Sequence, residues 1–359
     1  ASGLMCALVA SQRGRKVLLV DHREDFARKL IASGGGRCNF TNSEVSPAAY
    51  ISSNPHFVKS ALARFTPEDM LSLLDSRKIG YLLEDDGKYF LTKGSKSIFE
   101  MFVRELRSAG ARFVVSDKFG ISKHGDFLIS AGDMVASAPK IVVATGGLSF
   151  PVLRASGVGY KIAKKFGHSI IPTRPGLVPY IVKGPVGKFF AANSGASIVC
   201  EISLGRRKFR GELLMTHSGI SGPAAIRSSS FWNPGENLSI DFLPDIDFSV
   251  ELISARAKRP KLLLKNFLSS LLPEKIAFAI SRMAVRVDKR IADMTSAEME
   301  KIERFLKRFE FFPAAVAGYE KADVTIGGVD TSEISSKTME SLKTEGLYFI
   351  GELLDVAGD

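Results

Sequence analysis

The chain has 359 residues, 45% of them hydrophobic, with a mean hydropathy of +0.09, enough to bury one large core or two to three smaller ones. No apolar run reaches the roughly 18–20 residues a membrane span requires, and a charged fraction of 24% argues against wholesale disorder. The net charge of +11 admits anionic partners, while Cys6, Cys38 and Cys200 are too scattered for a disulfide framework or a zinc site.

A chain with no signal peptide and no disulfide pattern reads as cytoplasmic. No C-x-x-C pair is present, which counts against a reductase that passes electrons to a dithiol. No cluster with metal-ligand spacing appears, so no metal is expected. Both ends look cut through a motif, with the first strand and early glycines of a fingerprint lying before Ala1.

In chain order, Leu4, Ala7 and Leu8 have helical spacing and Gly14 closes that segment. The apolar run 16–20 then reads as a buried strand ending on Asp21. A helix followed at once by a strand and a terminal acid is the second half of a βαβ unit. Thr66-Pro67-Glu68-Asp69 supplies an N-cap, a first-turn proline and an acid three residues after the cap, predicting a helix to about Arg77. Asp86-Gly87, between the apolar runs 81–83 and 89–91, predicts a hairpin. A helix over 97–108, a strand over 111–115, a second hairpin near 123–126 and a strand over 140–144 follow. Such alternation defines an α/β domain with a mostly parallel sheet.

After Pro179 the texture turns β-rich, with strands expected over 196–204, 210–215 and 238–242. Leucine-rich helical spacing takes over from Phe248 to Phe311, with helix starts at Pro273-Glu274 and at the capping box Thr295-Ser296-Ala297-Glu298. The division read from this is 1–180 as the first part of an α/β domain and 181–247 as the first part of a β-rich insert. Residues 248–311 form a helical insert, 312–330 complete the β-rich part, and 331–359 return to the α/β domain.

Four signals point to dinucleotide chemistry, the first of them the N-terminal fragment that holds both Gly3 and Asp21. Ser2 and Gly3 fit the end of a glycine fingerprint, where the helix N-terminus faces a pyrophosphate. Asp21 stands where a carboxylate accepts ribose hydroxyls. Between Lys29 and Asn42 lies a loop whose Gly34, Gly35 and Gly36 allow backbone to approach a ligand, followed at once by Arg37, Cys38 and Asn39. Ala144, Thr145, Gly146 and Gly147 end one strand in small residues, and Gly351, Glu352 and Asp355 follow another.

The stretches KLIASGGGRCNFTN (29–42), ATGGLSFP (144–151), GELLMTHSGISGP (211–223), VTIGGV (324–329) and KTMESLKTEGLYFIGELLD (337–355) resemble the bacterial FAD-binding family of aminoacetone-oxidase-type, BaiN/YhiN-like oxidoreductases. The resemblance implies a glutathione-reductase-type, Rossmann-like FAD domain with an inserted β-barrel that itself carries a small helical insert. It places Phe119 near adenine and Gly327 and Gly328 near the isoalloxazine and ribityl chain. Val158 stands where the family usually has an acid, and Asp21 where Glu is more usual.

FAD is therefore the expected cofactor, with NAD(P)H as a transient electron donor, since no second dinucleotide motif is evident. The leading reading is an FAD-dependent oxidoreductase acting on a small molecule in a cleft between the α/β domain and the insert. A flavoprotein that binds RNA and modifies tRNA through its basic inserts is the alternative. Cys38 reads better as a packing residue than as a flavin partner, and His217 better as a loop residue than as a proton donor. No general base is assigned, and neither a membrane partner nor an oligomeric state follows.

Overall fold

The computed structural model describes residues 1–24, 26–84, 87–285 and 288–358. The chain divides into two compact units, Ala1–Arg174 with Val324–Asp359, and Pro175–Asp323. Strand Val324–Val329, which opens the second segment of the first unit, pairs with strand Ile170–Gly176. The expected return at 331 comes seven residues after the observed one.

The first unit opens with helix Ser2–Gln12, whose Leu4, Ala7 and Leu8 are buried against Met101, Phe102 and Leu106 of helix Ser95–Ser108. Strand Leu18–Asp21 then pairs in parallel with Arg112–Val115, placing Asp21 opposite Val115. A second parallel pair joins Ile141–Val143 to Leu347–Phe349. The parallel strands thus stand as two separate pairs. Val143, Phe349 and Leu353 belong to a second buried cluster around Phe127.

The remaining local expectations resolve close to their predicted ends. Thr66 caps helix Pro67–Ser76 in a reciprocal box with Asp69. Strands Tyr81–Leu83 and Lys88–Leu91 pair as a hairpin, whose expected tip residue Asp86 lies outside the described residues. The second hairpin joins Phe119–His124 to Asp126–Ala131 through Gly125.

The second unit is built on a seven-stranded antiparallel sheet. Its order is Phe309–Phe311, Leu238–Asp241, Ser197–Leu204, Arg207–Thr216, Gly219–Ser221, Tyr180–Ile181 and Ala315–Val316. Among the described residues no strand pairing joins the two end strands of this sheet. Helices Phe248–Lys258, Leu264–Ser269, Glu274–Ala284 and Ser296–Lys307 share one continuous apolar core with it, running from Ile202, Met215 and Ile240 to Leu268, Ile276 and Leu306. Phe309 and Phe311 are strand residues of that core, whereas Phe312 is 68% exposed. No described helix is long and apolar enough to cross a membrane.

One polar cluster of the first unit sets its acid sensitivity. The buried His168 ring meets Glu333 through Nδ1 at 3.1 Å and the Ser341 hydroxyl through Nε2 at 2.7 Å. Burial holds the imidazole below its ordinary pKa against the opposing pull of Glu333. Burial also pushes the Glu333 carboxyl up, but hydrogen bonds from Lys343 and Ser169 outweigh this and bring it down to about 2. Both groups take up protons more readily in the unfolded chain, so stability falls as pH falls. The loss comes in two steps: from about 6.5 downward for His168, and from about 4.5 toward about 2 for Glu333. Urea midpoints measured from about pH 8 to about pH 5 should decline, and His168→Gln should flatten that decline. An equal decline in the variant would remove His168 as its source.

Candidate functional site

In the first unit, the carboxyl ends of the parallel strands and the N-terminus of the first helix meet. Gly3 lies so close to the strand end that a Cβ on it would stand 3.1 Å from the Ala144 Cβ, and a Cβ on Gly351 would stand 2.3 Å from the Ser2 hydroxyl. Only small residues at these points let helix and sheet edge approach. The helix carries no acid in its first turn and no side-chain cap, leaving its leading N–H groups to other acceptors.

Asp21 ends its strand half-exposed, accepts a hydrogen bond from the Arg23 N–H at 3.2 Å and lies 3.2 Å from His22 Nδ1. Its own carbonyl receives Ser116 N–H at 2.9 Å, and Phe119 begins the next strand. Asp21 and Phe119 thus share one strand-end region.

The glycine loop is built for exposure. Gly34, Gly35 and Gly36 take φ of +57°, +65° and +90°, a region side chains avoid. Gly34, Gly35, Arg37 and Asn39 are exposed, while Cys38 is 1% exposed. Arg37 stacks 4.0 Å above the Phe90 ring and pairs with Glu84 at 2.5 Å. Burial pushes the Cys38 thiol up, partly offset by a hydrogen bond with Ser33, so it is held as a neutral packing group.

A hydrogen-bond network ties the loop to both strand ends. Lys29 Nζ reaches Glu352 Oε2 at 2.5 Å and the Ser149 hydroxyl at 2.5 Å. Ser149 donates to Glu352 Oε1 at 2.9 Å, and that same oxygen accepts the Thr325 N–H at 2.8 Å. The Thr325 hydroxyl in turn accepts the N–H groups of Leu148 and Ser149 at 2.7 and 3.1 Å. Sequence reasoning found Lys29 and Glu352 but missed Ser149 and Thr325, although both lie inside the stretches 144–151 and 324–329. Their signal is a hydroxyl beside glycines, which has no periodicity to reveal it.

The other expected site residues separate. Thr145 is exposed, Ala144 is half-buried beside Gly3, Gly146 is half-buried near the Glu352 carboxylate, and Gly147 is buried against Thr325. Gly327 and Gly328 are buried, their Cα atoms facing the backbone of Pro172 and Leu353–Leu354, and their φ of +81° and +141° likewise favour glycine. Asp355 is 3% exposed and accepts the Ser53 N–H at 2.8 Å. His217 sits in an exposed turn of the second unit, and among the described residues no cluster could hold a metal ion.

A capless helix N-terminus, a strand-end carboxylate and an exposed glycine loop suit a dinucleotide, matching pyrophosphate to N–H donors and ribose to an acceptor. Together with the parallel strand pairs they define a Rossmann-like α/β protein. The HI0933-like Rossmann-domain model matches residues 1–359. The chain belongs to that family, and it is an FAD-binding oxidoreductase fold. It is 40% identical over 361 residues to an Escherichia coli protein named ribosomal RNA dihydrouridine synthase, covering all of this chain and 90% of that one. A Haemophilus influenzae protein of the same name is 40% identical over 365 residues, covering all of this chain and 91% of that one. A Clostridium scindens 3-dehydro-bile acid delta(4,6)-reductase is 28% identical over 379 residues, again covering 100% and 91%.

Proposed function

We propose that this protein is an FAD-dependent reductase that saturates a uridine of ribosomal RNA to dihydrouridine, with NAD(P)H as electron donor. The observation that carries this reading is the 40% identity, over the whole chain, to two proteins named for that reaction. The more distant relative is named for reducing double bonds in a bile acid. The two names share one chemistry, the saturation of a carbon–carbon double bond, and uracil's C5–C6 bond is conjugated to a carbonyl. FAD, when bound and reduced by NAD(P)H, would supply the hydride with its two electrons, and a proton from solvent would complete the saturation. The RNA is ribosomal in this reading, not the transfer RNA of the sequence-based alternative.

In the proposed arrangement the helix N-terminus at Ser2 and Gly3 faces the pyrophosphate and Asp21 accepts the adenosine ribose hydroxyls. Gly34–Gly36, Arg37 and Asn39 wrap the linker, and Phe119 and Ala144–Gly147 flank the adenosine half. Gly351 lies toward the flavin. Glu352 and Asp355, both engaged by protein donors, hold the loop and strand ends that frame the cofactor. Asp21→Ala should weaken FAD binding by about 1–3 kcal/mol, roughly 5- to 150-fold, because a ribose hydroxyl pair loses a charged acceptor. Flavin fluorescence titration reads this directly, and unchanged affinity would remove Asp21 from the ribose.

The reaction is tested by incubating the FAD-loaded protein with NAD(P)H and deproteinised ribosomal RNA, then digesting the RNA to nucleosides for mass spectrometry. Dihydrouridine formed only with enzyme and reductant supports the assignment. A small-molecule reductase is the second reading, favoured by the bile acid relative. Flavin reoxidation by a small conjugated ketone, with no dihydrouridine in the RNA, would replace the first reading with this one.

A further inference from the structure

Between Arg256 and Arg290 the chain carries ten lysines or arginines against two acidic residues, a net +8 of the chain's +11. The fold gathers these charges instead of dispersing them. The stretch 260–264 lies along 289–292. Ile291 N–H donates to the Leu262 carbonyl at 2.8 Å, Leu264 N–H to Lys289 at 2.8 Å and Ala292 N–H to Pro260 at 3.3 Å. Helix Glu274–Ala284 packs on helix Leu264–Ser269. Along it Lys275, Phe278 and Arg282 fall on one face by their spacing, and Lys265 Nζ lies 6.0 Å from the Phe278 ring centroid.

Three of the cations are neutralised locally: Lys265 by Asp288 at 3.3 Å, Lys289 by Glu298 at 2.6 Å and Arg290 by Asp293 at 2.8 Å. Lys258, Arg259, Lys261, Lys275 and Arg282 are exposed, and no ion pair joins any of them to an acidic side chain among the described residues. An ordinary solvated face intersperses both signs. The helix dipole accounts for Lys258 and Arg282, each in the last turn of its helix, but not for Lys261 or for Lys275, which stands in the first turn of its helix. An excess of one sign near a half-buried aromatic ring suits a polyanion whose phosphates release counterions on contact.

The geometry points to a docking surface for the sugar–phosphate backbone of the RNA substrate, carried by Lys258, Arg259, Lys261, Lys275 and Arg282 in the second unit. It rests on the RNA reading proposed above. It assigns the helical part of that unit to substrate capture, while the chemistry belongs to the first unit.

The test uses the full-length, FAD-loaded protein and filter binding to deproteinised ribosomal RNA over a range of salt concentrations. The triple variant Lys258→Gln, Arg259→Gln, Lys261→Gln should bind roughly 30- to 100-fold more weakly near physiological salt. Its log affinity against log salt should be shallower by about 2–3, the contribution of three phosphate contacts. Lys275→Gln with Arg282→Gln, on a separate helix, should shift both readouts in the same direction, guarding against local misfolding of the turn. Flavin reduction by NAD(P)H should be unchanged in both. Parent affinity and salt slope in both variants would overturn the surface, as would parent protein that binds phosphatidylglycerol vesicles but not RNA. Dihydrouridine is scored separately in the same RNA. RNA bound through these residues but left unmodified would overturn the substrate assignment and leave the docking surface standing.

Discussion

Glu352→Ala should lower the thermal midpoint by roughly 6–12 °C and weaken FAD binding in the same protein. The carboxylate accepts three hydrogen bonds, from Lys29, Ser149 and Thr325. Removing it leaves a partly buried ammonium without its counter-charge and the Thr325 backbone N–H without its acceptor. Lys29 and Glu352 retain 30% and 23% side-chain exposure, so water softens the Coulombic part. A loss of about 3 kcal/mol is reasonable for such a set, and about 2–4 °C per kcal/mol converts it for a unit of this size. Glu352→Gln keeps one acceptor oxygen and should lose about half as much. Differential scanning calorimetry with flavin titration reads both effects. An alanine variant melting within about 1 °C of the parent would mean that the network does not hold the site together.

Gly327→Ala should cost more, about 4 kcal/mol or above, enough for the purified chain to aggregate or fail to accumulate. Gly327 has a φ of +81°, and a Cβ there would stand 2.4 Å from the Pro172 carbonyl oxygen and 3.0 Å from that of Ile171. Those oxygens belong to the paired strand Ile170–Gly176 and cannot swing aside as a side-chain tip would. Gly35→Ala is the matched control. Its φ is +65°, yet nothing lies within 4 Å of the added carbon, so only the left-handed backbone strain of about 1–2 kcal/mol remains. Equal melting of the two variants would show that crowding against Pro172 is not what Gly327 avoids.

Local signals were the most legible. Thr66-Pro67-Glu68-Asp69 and Thr295-Ser296-Ala297-Glu298 each mark a helix start because a capping box is satisfied within four residues. Apolar strands flanking Gly125 likewise declare a hairpin from neighbours alone. The candidate site was half legible. Gly34–Gly36 stand out as a composition no core would choose. Thr325 and Leu148 are 177 residues apart, however, and a hydroxyl paired over that distance leaves no pattern in either segment. The extent of the second unit was harder again. Helical and β-rich stretches look like separate modules when read by periodicity, but Ile240 and Ile276 enter one core, and shared burial is invisible to a window of a dozen residues.

The placement of the second unit inside the first has a consequence for the chain as it leaves the ribosome. Strand Ile141–Val143 must wait for Leu347–Phe349, and Ile170–Gly176 for Val324–Val329. Residues 175–323 meanwhile carry every strand of their own sheet and a core of their own. At about 5–20 residues per second, the nascent first unit stands with open strand edges for roughly 10–30 s while the insert is synthesised and closes. During that interval the early strands offer unpaired edges to any neighbouring chain. Codon-level slowing within the insert would prolong this exposure, whereas the same slowing after Val324 would leave fewer strand edges open.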